Sequence, residues 1–321
     1  MSAVEPESHR GVHHYRIPAS RHHAPPSHRS SSRHSTLPSD VSDVEEDGIG
    51  MLSDIADSSS WPGVTTLIYS GRNKIDLKPQ SKHIKELLRV AVEEFRGDLF
   101  FVCTFPKLST KVTMLHQVLR RAARALDLPQ EICTRLKEDP EYNEALGAVP
   151  WARVSEWRAP LKDKAFAAIN TQYGSTPDAL SALLHEHGYI YPGDPLKPRK
   201  NKQPYEHAAF VLLLRDFYFT KNDEDDSTEM PDSMIASVAA SIHSSLKDRQ
   251  NGLSSPSVFS ADAVSDIYET HMLVLEGLKA THRHALKVKL YNDVMASIQP
   301  SVSAHAQANA ALACINLSAI E

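Results

Sequence analysis

Residues 81–97 read SKHIKELLRVAVEEFRG, and their spacing decides the fold class. Ile84, Leu87, Leu88, Ala91, Val92 and Phe95 recur every three or four positions, the period of one helix face, with Ser81 placed as an N-cap and Gly97 as a stop. The same signal repeats along the chain. Leu115, Val118, Leu119, Ala122 and Leu126 predict a second helix over 109–126, and short helices follow at 129–138 and 140–147. A longer one is expected over 150–173, with Pro160 kinking or splitting it, because proline lacks the amide that an interior turn needs. Thr176-Pro177-Asp178 opens the next helix and Gly188 closes it. Pro204 opens another, through about residue 219. Its Ala208–Leu214 run is apolar nearly all round, which marks it as the central, fully buried helix. Three more are expected over 232–249, 260–280 and 283–298. Residues 99–106, LFFVCTFP, fit a strand or a buried turn equally well.

With 12 glycines in 321 residues, no hairpin signal and no repeat at solenoid periods, the expected fold is all-α. It is an irregular domain of about eight to ten helices over 61–300, with a disordered tail at 1–60 and a loose segment at 301–321.

The composition, 41% hydrophobic and 23% charged, suits a soluble chain able to bury a core. A net charge of −5 argues against a surface coated in basic residues for nucleic acid. Cys103, Cys133 and Cys314 share no CxxC spacing, which argues against a zinc ribbon, a redox pair or a disulfide scaffold. No apolar run approaches the ~20 residues of a membrane helix, and the polar N-terminus carries no secretory signal. An intracellular protein, cytoplasmic or nuclear, is expected.

Residues 1–35 hold five Arg, two Glu and seven His, whereas 36–60 hold seven acids and no base. The acidic part, SDVSDVEEDGIGMLSDIADS (39–58), interleaves carboxylates with aliphatic side chains. That pattern fits either a segment that docks on a basic, apolar groove or a solvating linker. Ser42 beside its acids could accept phosphate. His13-His14 and His22-His23 suit weak metal adhesion, without the fixed geometry of a site.

Enzyme signatures are scarce: the chain has no P-loop, GxGxxG, GxSxG or HExxH. In HEHG (185–188), His185 and His187 diverge on a helix and fit a C-terminus where imidazoles meet free carbonyls. His271 lies on the apolar stripe Val264–Ile267–Tyr268–His271–Leu275–Leu278 and needs a hydrogen-bond partner there. Tyr268, Glu269 or a facing helix could supply it.

Basic residues are the strongest functional hint. Lys107, Lys111, Arg120, Arg121 and Arg124 fall in a stretch without an acid, and KPRKNK adds Lys197, Arg199, Lys200 and Lys202. Together they would form a patch for phosphates or an acidic peptide. Solvated surfaces are the bland alternative, and the loop also has the look of a nuclear-import sequence.

Phe105-Pro106, a basic helix, Tyr173-Gly174 and YIYP (189–192) follow one another in a telling order. Pro204 with His207, Phe217-Tyr218-Phe219, and Tyr268 with His271 complete it. In this order and spacing, residues 80–295 resemble an uncharacterised domain-of-unknown-function family abundant in mushroom-forming (basidiomycete) fungi. The resemblance implies an all-helical fold, a fungal origin and variable low-complexity flanks. It implies no activity, cofactor or catalytic residue.

The leading functional expectation is a non-enzymatic interaction module without cofactor, whose basic surface binds an acidic protein or nucleic acid. The alternative is an enzyme with a helical pocket around His207 or His271.

Overall fold

A computed structural model describes residues 61–70, 74–174, 176–197, 203–219 and 228–298. These residues are helical, with no strand among them beyond an isolated bridge between Tyr69 and Ile75. In chain order the helices are α1 (Lys82–Gly97), α2 (Leu108–Ala125), α3 (Gln130–Glu138), α4 (Pro140–Trp151) and α5 (Val154–Gln172). They continue with α6 (Pro177–Leu184), α7 (Ala208–Tyr218), α8 (Asp232–Gln250), α9 (Ala261–Gly277) and α10 (Ala280–Ile298). Helix starts follow local chemistry. Ser81, Asp139, Thr176 and Ser260 each accept a bond from a backbone amide of the first turn, and Pro140 and Pro177 sit where a missing N–H costs nothing.

The buried side chains form two clusters. The first joins α1, α2, α3 and α4 through Phe95, Leu119, Ile132 and Leu146. The second gathers α5 to α10 with Phe105. Phe100 packs against both. It belongs to the apolar run at 99–106, which forms neither a strand nor a simple turn: Asp98–Val102 continues α1 as one wide helical turn before the chain extends at Cys103.

Two sequence expectations need correction. The central helix is α8, not α7. Every α8 residue from Ser233 to Ile242 is buried, and the helix packs against α5, α6, α7 and α9. α7 keeps Val211, Leu212 and Arg215 only half-buried. The serines of α8 are what make this possible. Ser237 and Ser241 return their hydroxyls to the carbonyls of Met234 and Val238, so small polar residues enter the core satisfied and let neighbours approach on all sides. The second correction concerns Pro160, which lies inside α5 without splitting it. Pro160 and Glu156 are exposed, so water reaches the carbonyl that the missing amide leaves free. The break falls earlier, at Ala152-Arg153 between α4 and α5.

Candidate functional site

The basic residues of α2 divide among separate roles. Arg121 bonds Glu94 at 3.0 Å and Asp98 at 2.6 Å, tying α2 to the end of α1. Lys107 pairs with Glu269 of α9 at 3.0 Å. Lys111 places its ammonium 4.9 Å from the Trp151 ring centre. Arg120 is half-buried and Arg124 exposed, and neither has an ion-pair partner among the described residues. At about 100° per residue, Lys107 and Lys111 share one side of α2, while Arg120 and Arg124 lie roughly 140–180° around from Lys111. Lys197 pairs with Asp194 at 3.5 Å. Arg199, Lys200 and Lys202 lie outside the described residues, as do the segments 1–60 and 301–321 and, with them, the expected acidic docking segment and His pairs.

α2 carries a further feature. Leu108, Val112, Leu115 and Leu119 follow helix spacing on one stripe. Leu115 and Leu119 are buried, whereas Leu108 is 73% and Val112 63% exposed. The stripe therefore runs past its cover, with Lys107 and Lys111 along its edge.

The histidines occupy a different region. The His271 side chain is fully buried on α9. Its partners are neither Tyr268 nor Glu269. The Tyr189 hydroxyl lies 2.6 Å from Nε2 and the Tyr205 hydroxyl 3.0 Å from Nδ1. His187 Nδ1 is 3.2 Å from the same Tyr189 oxygen, and Tyr205 also reaches the His271 carbonyl at 3.4 Å. One direction of donation satisfies every member. His187 donates to Tyr189, Tyr189 to His271 Nε2, His271 Nδ1–H to Tyr205, and Tyr205 to the carbonyl. His243 stands 5.7 Å from the Tyr189 ring, centre to centre, and its Nδ1 is buried without a partner.

Burial holds His271 neutral, its pKa depressed to about 3, and His243 at about 4, with His187 adding to both shifts. His185 stays exposed beside Glu186, beyond the end of α6. Among the described residues, no three His, Cys, Asp or Glu side chains are grouped to hold a metal.

Backbone strain gathers here. Glu186 (φ 48°), His187 (φ 54°) and Tyr205 (φ 65°) all adopt the left-handed conformation, which costs a non-glycine residue about 1–2 kcal/mol. The strain falls on the two short segments that bring His187, Tyr189 and Tyr205 to His271.

His207 is a cap rather than a pocket residue. Its Nδ1 accepts the Ala209 amide at the start of α7, and its ring stacks on Tyr173 at 4.1 Å. Burial lowers its pKa to about 4.

One turn before His271, Tyr268 borders a second polar cluster, which the sequence reading did not pick out. Arg158 of α5 is 93% buried and lies 4.4 Å from the Phe105 ring centre. It makes no ion pair or hydrogen bond among the described residues, and its Nε is sealed from solvent. The Thr104 hydroxyl beside Phe105 is buried too and faces the Tyr218 hydroxyl. Tyr268 accepts the Thr104 amide, and Tyr218 bonds Ser237. A surface groove between α1 and the α4–α5 junction, lined by Leu77, Lys85, Leu88, Val92 and Trp157, reaches neither cluster. Of its charged residues, Arg89 pairs with Glu86 and Arg153 with Glu156.

Residues 90–278 match the family described as Domain of unknown function (DUF6532). The chain belongs to that family. The matched span contains both polar clusters of the DUF6532 domain and all of α2 to α9. It stops short of α10, although Leu286, Leu290, Tyr291 and Val294 of α10 belong to the second core. No curated protein and no solved structure shows detectable similarity to the chain. No helix among the described residues is long and apolar enough to cross a membrane.

Proposed function

We propose that this protein is a non-enzymatic helical interaction module, and that α2 receives an acidic, aliphatic segment of a protein partner. One observation carries the reading: the core stripe of α2 continues into solvent at Leu108 and Val112 with Lys107 and Lys111 beside it. An uncovered apolar strip edged by cations complements a peptide that alternates aliphatic side chains with carboxylates. Arg120 and Arg124 add long-range attraction from another side of the helix.

The enzymatic alternative loses support from its own candidates, since His207 caps a helix and His271 has both ring nitrogens bonded inside the core. Two free thiols, Cys103 and Cys133, fit an intracellular setting.

The test uses the full chain and two labelled probes: a synthetic peptide alternating Asp or Glu with Leu or Val, and a DNA duplex of similar length. Fluorescence anisotropy should show saturable peptide binding, weakened at least about tenfold by L108E/V112E and by K107A/K111A. Peptide binding unaltered in both variants would reject the α2 surface. Saturable duplex binding without peptide binding would replace the protein partner by nucleic acid.

A further inference from the structure

Three imidazoles meet around Tyr189. The His187 ring stands 4.9 Å from the His271 ring and 5.9 Å from that of His243, centre to centre. His187 is half-buried in the short turn after α6, whereas His271 is fully buried on α9. The bonds that join them leave no room for an added proton. Tyr189 donates to His271 Nε2 while accepting from His187, so a proton on Nε2 would set two donors against one hydroxyl and leave the phenol hydrogen without an acceptor. On His243 a proton would turn the buried Nδ1 into a charged donor facing no acceptor. The neighbouring charges oppose uptake as well. His187 and His243 act on His271, and His187, Lys247 and Lys162 act on His243, all of them basic. Lys162 is answered by Asp248, and His185 by Glu186 at the exposed edge. Tyr205 faces His271 from the segment before α7, and Asp178, the one ionisable residue of α6, stands at the far end of that helix.

We infer that the Glu186–His187 turn is a latch released by protons: as pH falls it swings off His243 and His271, which take up protons, while the helices stay folded. The turn carries the means to move. Glu186 and His187 are consecutive left-handed residues, neither of them glycine, so leaving this conformation relieves strain that the closed form holds. Directly after them Tyr189 and Ile190 are buried, and the Tyr189 carbonyl accepts the Tyr173 hydroxyl, which pins the far end of the turn. Departure of His187 opens the phenol oxygen to water. Tyr189 then accepts from His271 and gives its own hydrogen to a water molecule, which removes the conflict between donors. Linkage sets the direction. The closed form holds His243 at about 4 and His271 at about 3, whereas an imidazole in water takes its proton at about 6.5, so acid favours the open form. Opening replaces a closed, neutral surface by two cationic rings on α8 and α9. The latch does not involve the exposed strip of α2 and does not depend on it.

The experiment is an NMR titration of the full chain from neutral pH down to about pH 4, following backbone amides and imidazole ring signals. The amides of residues 186–188 should shift in one step with the rings of His243 and His271, between the closed-state values and about 6.5, while the amides of α1 keep their folded positions. H187G, which suits a left-handed backbone and removes the cover, should raise the proton affinity of both rings at least about tenfold. If H187G does not fold, H187N serves in its place: asparagine tolerates the same backbone without taking a proton, and should give a smaller rise in the same direction. Rings that titrate while 186–188 stay in place would overturn the latch, as would rings that stay neutral over the whole range or affinities unchanged in the variant. Amides of α1 moving in the same step would overturn it too, because acid would then be unfolding the chain as a whole.

Discussion

The Tyr189 hydroxyl lies 2.6 Å from His271 Nε2, and both side chains are fully buried. The contact ties the strained segment after α6 to the middle of α9, across 82 residues of chain. Since His271 also bonds Tyr205, a single imidazole fastens two connecting segments to one helix.

Replacing His271 tests this directly. H271F fills the space but takes the imidazole from two phenol hydroxyls, leaving Tyr189 with His187 and Tyr205 with the backbone carbonyl at position 271, and should cost about 1–3 kcal/mol by urea denaturation. The double variant H271F/Y205F removes one of those weakened hydroxyls and should recover part of the loss. A loss below about 1 kcal/mol in H271F would show that the network contributes little.

The buried imidazoles set the pH dependence. In the folded chain His207 and His243 titrate at about 4 and His271 at about 3, whereas in the unfolded chain each accepts a proton near 6.5. The unfolded state therefore binds more protons as pH falls below about 6.5. Their contribution is complete above that value and is lost progressively towards pH 4. Each should remove about 1.4 kcal/mol by pH 5.5. The H271F variant should show a shallower decline than wild type between pH 7 and 5 in the same denaturation series.

Lys162 of α5 is sealed against α8, its ammonium 2.6 Å from Asp248 and 2.7 Å from the Ser244 hydroxyl. K162M leaves Asp248 without its cation, held by Ser257 through its amide and side chain, and should cost about 3–5 kcal/mol. Removing both charges in K162M/D248L should cost less than K162M alone. A double-mutant cycle measures the difference.

Arg121 separates architecture from recognition on α2. R121A leaves Glu94 and Asp98 facing each other, and should lower stability by about 1 kcal/mol, kept small by partial solvent screening. R120A and R124A should each stay within about 0.5 kcal/mol of wild type. Chemical denaturation of the three single variants distinguishes the roles, with equal effects arguing against them.

The helices whose apolar residues repeat in a clean period, α1 above all, are legible in the sequence with their caps. α8 is legible as a helix but not as the central one, because the faces beyond its aliphatic stripe are lined with serine and alanine. A hydroxyl bonded to its own helix reads as polar in a sequence yet packs as a small apolar group. The same gap hides the polar clusters. His271 stands out on an apolar stripe, but its partners are delivered by left-handed residues at His187 and Tyr205, and no periodicity reports that conformation. Arg158 follows Trp157 and precedes Ala159 and Pro160 in a segment that reads as an exposed helix face, so its burial depends on packing that forms only in the folded chain. For the basic residues of α2, composition showed the charges but not their pairing. Arg121 is spoken for by acids on α1, more than twenty residues earlier in the chain.

α10 lies beyond the matched family span, yet it grips the start of α8. Arg283 binds Asp232, Lys287 binds Glu229 at 3.0 Å, and the Lys287 carbonyl accepts the Met230 amide at 3.1 Å. A fragment cut at residue 278 would remove the helix packed on α7, expose the apolar side chains it covers, and leave the start of α8 without its cations. Fragments for expression, crystallisation or partner screening should therefore extend at least to Ile298. Poor solubility of a shorter piece would report a misplaced boundary rather than a property of the protein.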